Sequence, residues 1–154
     1  MSISGEWWNE LKSKLVIQID AGDARSISGE YHTNVGQAQQ KNYPLVGRCD
    51  NAGNADQLVS WVVVWDPPDP PTNPVDPPKK PSITAWVGQY HLVNGIEMIT
   101  TTWLLTRQTT AGDDWNSTLV SMDFFFRTEP SAEMVKLARE AGKAASYLAP
   151  AISK

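Results

Sequence analysis

Apolar and polar positions alternate along most of this chain and change to a helical period only near its end. Alternation puts successive side chains on opposite faces of a strand. Residues 58–65, LVSWVVVW, place Trp61, Val63 and Trp65 on one face and Val62 and Val64 on the other. In 102–106, Trp103 and Leu105 share a face. In 117–126, Leu119, Ser121, Asp123 and Phe125 share one face, and Val120, Met122 and Phe124 take the other. The same reading predicts strands over 2–13, 15–19, 28–33, 43–50, 58–65, 82–90, 97–106 and 117–126. The first of these aligns Trp7, Asn9, Leu11 and Ser13 on one face, and the third aligns Gly29, Tyr31 and Thr33. After Pro130, Met134, Leu137, Ala138, Ala141 and Leu148 follow helical spacing, with Ser131 and Glu133 at the start.

Short strands at near-regular intervals, joined by turn-rich segments, predict an all-β fold: an eight-stranded antiparallel up-and-down β-barrel with a C-terminal helical tail. The barrel is assigned to 1–129 and the helical extension to 130–154. A barrel of this size holds one small ligand. Its inward set is then Asn9, Ser13, Tyr31, Thr33, Trp65, Ser82, Thr84, Trp86, Trp103 and Asp123. Neutral donors, a carboxylate and tryptophan walls suit a small, partly apolar ligand with a polar head. An inward Asp beside large apolar groups is costly unless something hydrogen-bonds it. Val62, Val64, Val120, Met122 and Phe124 give two strands a second apolar face, for which the expected cover is another subunit.

Residues 66–81 interrupt this pattern, and half of them are proline. Proline lacks an N–H and fixes its backbone angle, so the segment is neither central strand nor helix. It reads as an extended surface insertion, with a semi-rigid lid beside the pocket as the functional alternative. Residues 51–57 are a Gly/Asn/Asp turn.

The 154-residue length suits one domain, and a net charge of −4 with no basic run beyond Lys79-Lys80 argues against nucleic-acid and membrane partners. The single cysteine, Cys49, leaves no disulfide framework and no cysteine metal site, and reads as a small buried hydrophobe. No secretory apolar region precedes the first strand. No nucleophile–base pair and no metal-ligand spacing is present. His32 falls on the outer face of its strand, and Asp113 and Asp114 fall in a loop. Asn116-Ser117-Thr118 fits the glycosylation pattern but lies at a strand start. Arg48-Cys49-Asp50 reads as two outward charges around an inward cysteine. Seven tryptophans are the compositional oddity.

Their spacing carries a resemblance. Gly5-x-Trp7-x-Asn9-x-Leu11-x-Ser13, Gly29-x-Tyr31-x-Thr33-x-Val35-Gly36, Gly47-Arg48, Trp61-x-x-x-Trp65, Ser82-x-Thr84-x-Trp86-x-Gly88-Gln89-Tyr90, Thr102-Trp103-Leu104-Leu105 and Trp115-x-Ser117-Thr118-Leu119-Val120-x-x-Asp123 resemble the avidin/streptavidin family of biotin-binding proteins, its streptavidin branch in particular. Trp7, Trp61, Trp65, Trp86, Trp103 and Trp115 match tryptophans of that branch, and Trp8 is additional.

The resemblance implies high-affinity, non-catalytic binding of biotin, with no cofactor. Asn9, Ser13 and Tyr31 would donate to the ureido oxygen, and Asp123 and Thr33 would accept the ureido N–H groups. Thr84 would touch the thioether sulfur, and Ser82 would meet the valeryl carboxylate. Trp65, Trp86 and Trp103 would wall the ring and tail, with Leu11, Val35, Gln37 and Leu105 completing the site. Trp115 would reach a neighbouring subunit's site in a homotetramer, a dimer of dimers. The expected compartment is extracellular, with no signal peptide in this chain and an intracellular one as the alternative. Gln37 stands where the streptavidin branch has Asn, which puts its grip on the ligand carboxylate in question. Thr33 replaces Ser, Met122 replaces His at a subunit contact, and the proline insertion is added at the mouth. The alternatives are the same barrel with a different small ligand, or a carbohydrate-active enzyme.

Overall fold

The computed structural model describes residues 2–35, 42–50, 56–66 and 80–146, with side chains through residue 140. Its strands are β1 (Gly5–Asn9), β2 (Lys14–Ile19), β3 (Ser26–His32), β4 (Asn42–Cys49), β5 (Leu58–Trp65), β6 (Ser82–Val93), β7 (Ile96–Arg107) and β8 (Thr118–Phe126). Each pairs antiparallel with its sequence neighbour, and β8 returns to β1, so the barrel closes in up-and-down order. The C-terminal element is α1 (Ala132–Ser146). Ser131 starts it, its Oγ accepting the Met134 N–H at 3.2 Å.

The expected first strand over 2–13 is shorter than the alternation suggests. β1 stops at Asn9, because Asn9 turns the chain with its own side chain. Its Oδ1 accepts the Leu11 and Ser13 N–H groups at 3.0 and 2.8 Å, and Lys12 adopts a left-handed φ of 63°. Ser13 therefore faces inward by way of this turn rather than by strand parity. β6 and β7 run longer than expected and meet in a two-residue hairpin at Asn94-Gly95, with φ of 52° and 79°. Positive φ at both positions is what an Asn-Gly turn supplies, and its twist matches the flanking strands.

Inside the barrel, Trp7, Leu15, Ile17, Tyr31, Trp61, Val63, Trp86, Tyr90, Ile99 and Phe125 form one buried core. Cys49 is buried as expected, while Arg48 points out to pair with Asp23 at 2.6 Å. Arg127 closes one end of the barrel: it lies 3.7 Å over the Trp7 ring, pairs with Glu97 at 3.2 Å and donates to the Ser4 carbonyl. Such stacking on a desolvated ring favours Arg over Lys.

A second core lies outside the barrel and overturns one expectation. Phe124, on the outer face of β8, is covered by the chain's own helix and not by another subunit. Met98, Phe124 and Phe126 pack against Ala138, with Met134, Val135 and Leu137 beside them. The helix covers only that end of the strand. Val120 and Met122, on the same face, remain 63% and 41% exposed.

Candidate functional site

A cavity of about 520 Å³ opens at the barrel end opposite Arg127. The alternation of β3, β5, β6, β7 and β8 delivers its walls, and the turn after β1 delivers Leu11 and Ser13. Its lining contains Asn9, Leu11, Ser13, Tyr31, Thr33, Val35, Trp65, Ser82, Thr84, Trp86, Trp103, Leu105 and Asp123, all expected from the sequence. It also contains Lys80, Arg107 and Leu119, which the sequence reading left out. Gln37 and the proline segment 67–79 lie outside the described residues. Trp115 is not in the lining: it sits on the 3₁₀ turn Ala111–Asn116 and is 84% exposed. Asp113 and Asp114 share that exposed turn.

The deep part of the cavity is a hydrogen-bonded set. Asn9 Nδ2 donates to the Tyr31 hydroxyl at 3.3 Å. Ser13 Oγ accepts the Asn34 N–H at 3.1 Å, and the hydroxyl also hydrogen-bonds Tyr31. Burial, and then the nearby Asp123 charge, hold the Tyr31 phenol well above its ordinary pKa, so it stays a neutral O–H donor. Trp86 stacks on Tyr31 and on Trp61 at centroid distances of 5.2 and 5.7 Å, and Trp65 meets Tyr31 edge-on at 5.5 Å. These contacts fix the rings that wall the space.

Asp123 is the buried carboxylate of this set. Trp86 Nε1 donates to its Oδ2 at 3.0 Å, and Thr101 Oγ1 donates to its backbone carbonyl at 3.0 Å. Burial raises its pKa above the ordinary aspartate value, and hydrogen bonds from Trp86, Trp103 and Asn9 oppose that rise. On the wall, Trp65 Nε1 donates to Thr84 Oγ1 at 2.7 Å. Thr33 Oγ1 donates to the Val35 carbonyl at 3.1 Å and accepts the Val35 N–H at 3.3 Å, which leaves it one further lone pair. Neutral polar groups and one carboxylate therefore meet in a single deep space walled by indoles, with Asn9 bonded to both Tyr31 and Asp123. Among the described residues, no cluster of His, Cys, Asp and Glu is placed to hold a metal ion.

A family model described as "Avidin family" matches residues 1–128, which is most of the chain and all eight strands. The chain belongs to the avidin family. The avidin-family match ends just after β8, before α1 begins. The closed barrel and its buried aromatic cluster are thus avidin-family features, while the helix packed over Phe124 and Phe126 lies beyond the matched span.

Arg107 and Lys80 were legible in principle. Arg107 continues the alternation of Trp103 and Leu105, and Lys80 continues that of Ser82, Thr84 and Trp86 backward into the proline-rich segment. Both fall beyond the ends assigned to their strands, which is why the pattern missed them.

Proposed function

We propose that this protein binds biotin in the barrel cavity without catalysing a reaction. The observation that carries the reading is the convergence within one cavity of the polar groups of Asn9, Ser13 and Tyr31 with the buried Asp123 carboxylate, in an avidin-family barrel. A urea presents one oxygen acceptor and two N–H donors, which is the complement of that set. The donors would polarise the ureido oxygen as an oxyanion hole polarises a carbonyl, with no bond broken. Asp123 and Thr33 would take the N–H groups, and the charged acceptor makes the stronger bond. Trp65, Trp86 and Trp103 would enclose the apolar bicycle and Thr84 its sulfur. Ser82, at the mouth, would meet the carboxylate. Titration of wild type and Asp123→Ala with biotin tests this. The substitution should cost ~2–4 kcal/mol of binding, the scale for removing one charged partner of buried donors. Equal affinity of the two proteins would reject the assignment.

One further observation favours assembly. Val46, Val62, Ala85, Leu104 and Val120 are successive register partners across β4 to β8 and form a continuous apolar row on the outer surface. Val46, Leu104 and Val120 are 66%, 46% and 63% exposed. Exposed apolar surface of this extent supports burial against copies of the same chain, and a symmetric tetramer is the proposed form. Leu119, which lines the cavity yet is 45% exposed, leaves that wall open to an indole from outside. Trp115 of another copy would supply it. Extracellular residence remains part of the proposal through the family resemblance.

A further inference from the structure

We propose that Lys80 and Arg107 form a cationic rim through which the site prefers ligands ending in a free carboxylate over the same ligands ending in an amide. The inference rests on the biotin reading of the cavity and adds to it a selection at the mouth.

Among the described residues lining the cavity, the charged ones are Asp123, Lys80 and Arg107. Asp123 is buried, whereas Lys80 and Arg107 are exposed. The cavity is therefore electrically polar, negative in its depth and positive at its opening. Arg107 is the register partner of Ser82 across β6 and β7, and Lys80 precedes Ser82 on the same alternating face. Both cations thus share the cavity lining with Ser82. Arg107 is steadied in this position: its backbone N–H donates to the Ser117 carbonyl at 2.8 Å, and its side-chain Nη2 donates to the Asn116 carbonyl at 3.3 Å. The guanidinium has further N–H donors beyond that bond, and its planar fork suits a carboxylate.

A serine hydroxyl can bond an oxygen of either a carboxylate or a carboxamide and favours the charged one only by the margin of a single hydrogen bond. A cation distinguishes them by charge. An anionic tail placed deep would meet Asp123; placed at the mouth it meets Lys80 and Arg107. The same polarity therefore orients the ligand, N–H donors inward and anion outward, and weights the free acid over its conjugates. Two solvent-facing ion pairs predict a preference on the order of tenfold.

The test is direct competition of biotin against biotinamide, the primary amide, for wild type and for the Lys80→Gln/Arg107→Gln double variant. Wild type should favour biotin about tenfold at low salt. At about 1 M salt, where screening acts over about 3 Å, the preference should collapse toward unity. In the double variant the ratio of the two affinities should fall toward unity already at low salt and change little when salt is added. The salt arm needs only wild-type protein, so a poorly folding variant does not spare the proposal. Equal binding of both ligands at low salt, or a preference that survives both salt and the double substitution, overturns the rim while leaving the biotin reading intact. Failure of wild type to bind either ligand overturns the biotin reading and the rim with it.

Discussion

The Trp86 indole N–H donates to Asp123 Oδ2 at 3.0 Å, so the cavity's carboxylate is held by a neutral ring donor and not by a cation. A neutral donor stabilises the ionised form less than a charged one would, and burial dominates the balance. Trp86→Phe keeps an aromatic ring to stack on Tyr31 and Trp61 but removes the N–H. It should push the Asp123 pKa further up and weaken biotin binding by about 1–2 kcal/mol, with the thermal melt changed little. Biotin dissociation rates of the two proteins check this. An unchanged rate would mean that the indole N–H does not hold the carboxylate in its binding geometry.

The raised Asp123 pKa fixes the sign of two pH effects. Its ordinary value is 3.8, and burial is the largest cause of the rise. Between that value and the raised one, the folded empty barrel holds a proton that the unfolded chain has released. Stability contributed by this group is therefore full at low pH and falls as pH rises through that window. Ligand binding runs the other way, because two ureido N–H groups need an ionised acceptor. Biotinamide, which has no acid of its own, should lose affinity as pH falls from neutral, starting at higher pH than an unperturbed aspartate would dictate. Asp123→Asn should bind more weakly with a flatter profile. Identical pH profiles for the two proteins would remove Asp123 as the titrating group.

Strand parity was enough to read the barrel and most of its lining, because an alternating strand has only two faces and inward aromatic residues mark one of them. Trp65, Trp86, Trp103 and Asp123 followed from that rule and all line the cavity. The rule fails where side chains set the backbone. Asn9 ends β1 by capping the turn to Ser13, which alternation continued straight through. Asn94-Gly95 carried a turn signal that gives the true ends of β6 and β7, yet the strand limits drawn from apolar content stopped short of it. Phe124 showed an outward apolar face but not its cover, because parity says which side a residue takes and nothing of what returns to pack on it. The helical period after Pro130 was visible; its docking site on Met98, Phe124 and Phe126 was a tertiary fact.

Glu10 should matter to stability beyond its position in a turn. The β1–β8 seam that closes the barrel holds only the register pairs Trp8↔Phe126 and Asn9↔Phe125. Where β1 then turns away, Glu10 Oε2 accepts the Phe124 N–H at 3.2 Å, a side chain continuing the ladder next to Asp123. Glu10→Ala leaves that N–H without its partner and should cost about 1–3 kcal/mol, while Glu10→Gln retains an acceptor and should cost less. Urea midpoints of the three proteins check the order. Equal losses for Ala and Gln would show that charge, and not the ladder bond, is what Glu10 provides.

Assembly gives the last expectation, and two outward residues separate its causes. Val120 lies at the end of the row Val46–Val62–Ala85–Leu104–Val120 and is absent from the cavity lining. Trp115 lies off that row on the 3₁₀ turn, 84% exposed, and also away from its own chain's cavity. Burying apolar surface is worth roughly 25 cal/mol per Å², so a patch spanning five strands favours association strongly once it meets its own copy. A lysine at Val120 would place a charge within such a contact. Val120→Lys should therefore reduce the mass seen by light scattering from tetramer to a smaller species. If the site is completed across the boundary, biotin release should accelerate in the same protein although no cavity residue has changed. Trp115→Lys should accelerate release at least as much, because it removes the indole proposed to cover the open wall at Leu119. A Val120→Lys protein that is dissociated yet releases biotin at the wild-type rate would show that one barrel holds the ligand unaided. A wild type that is already monomeric at micromolar concentration would dispose of the tetramer itself.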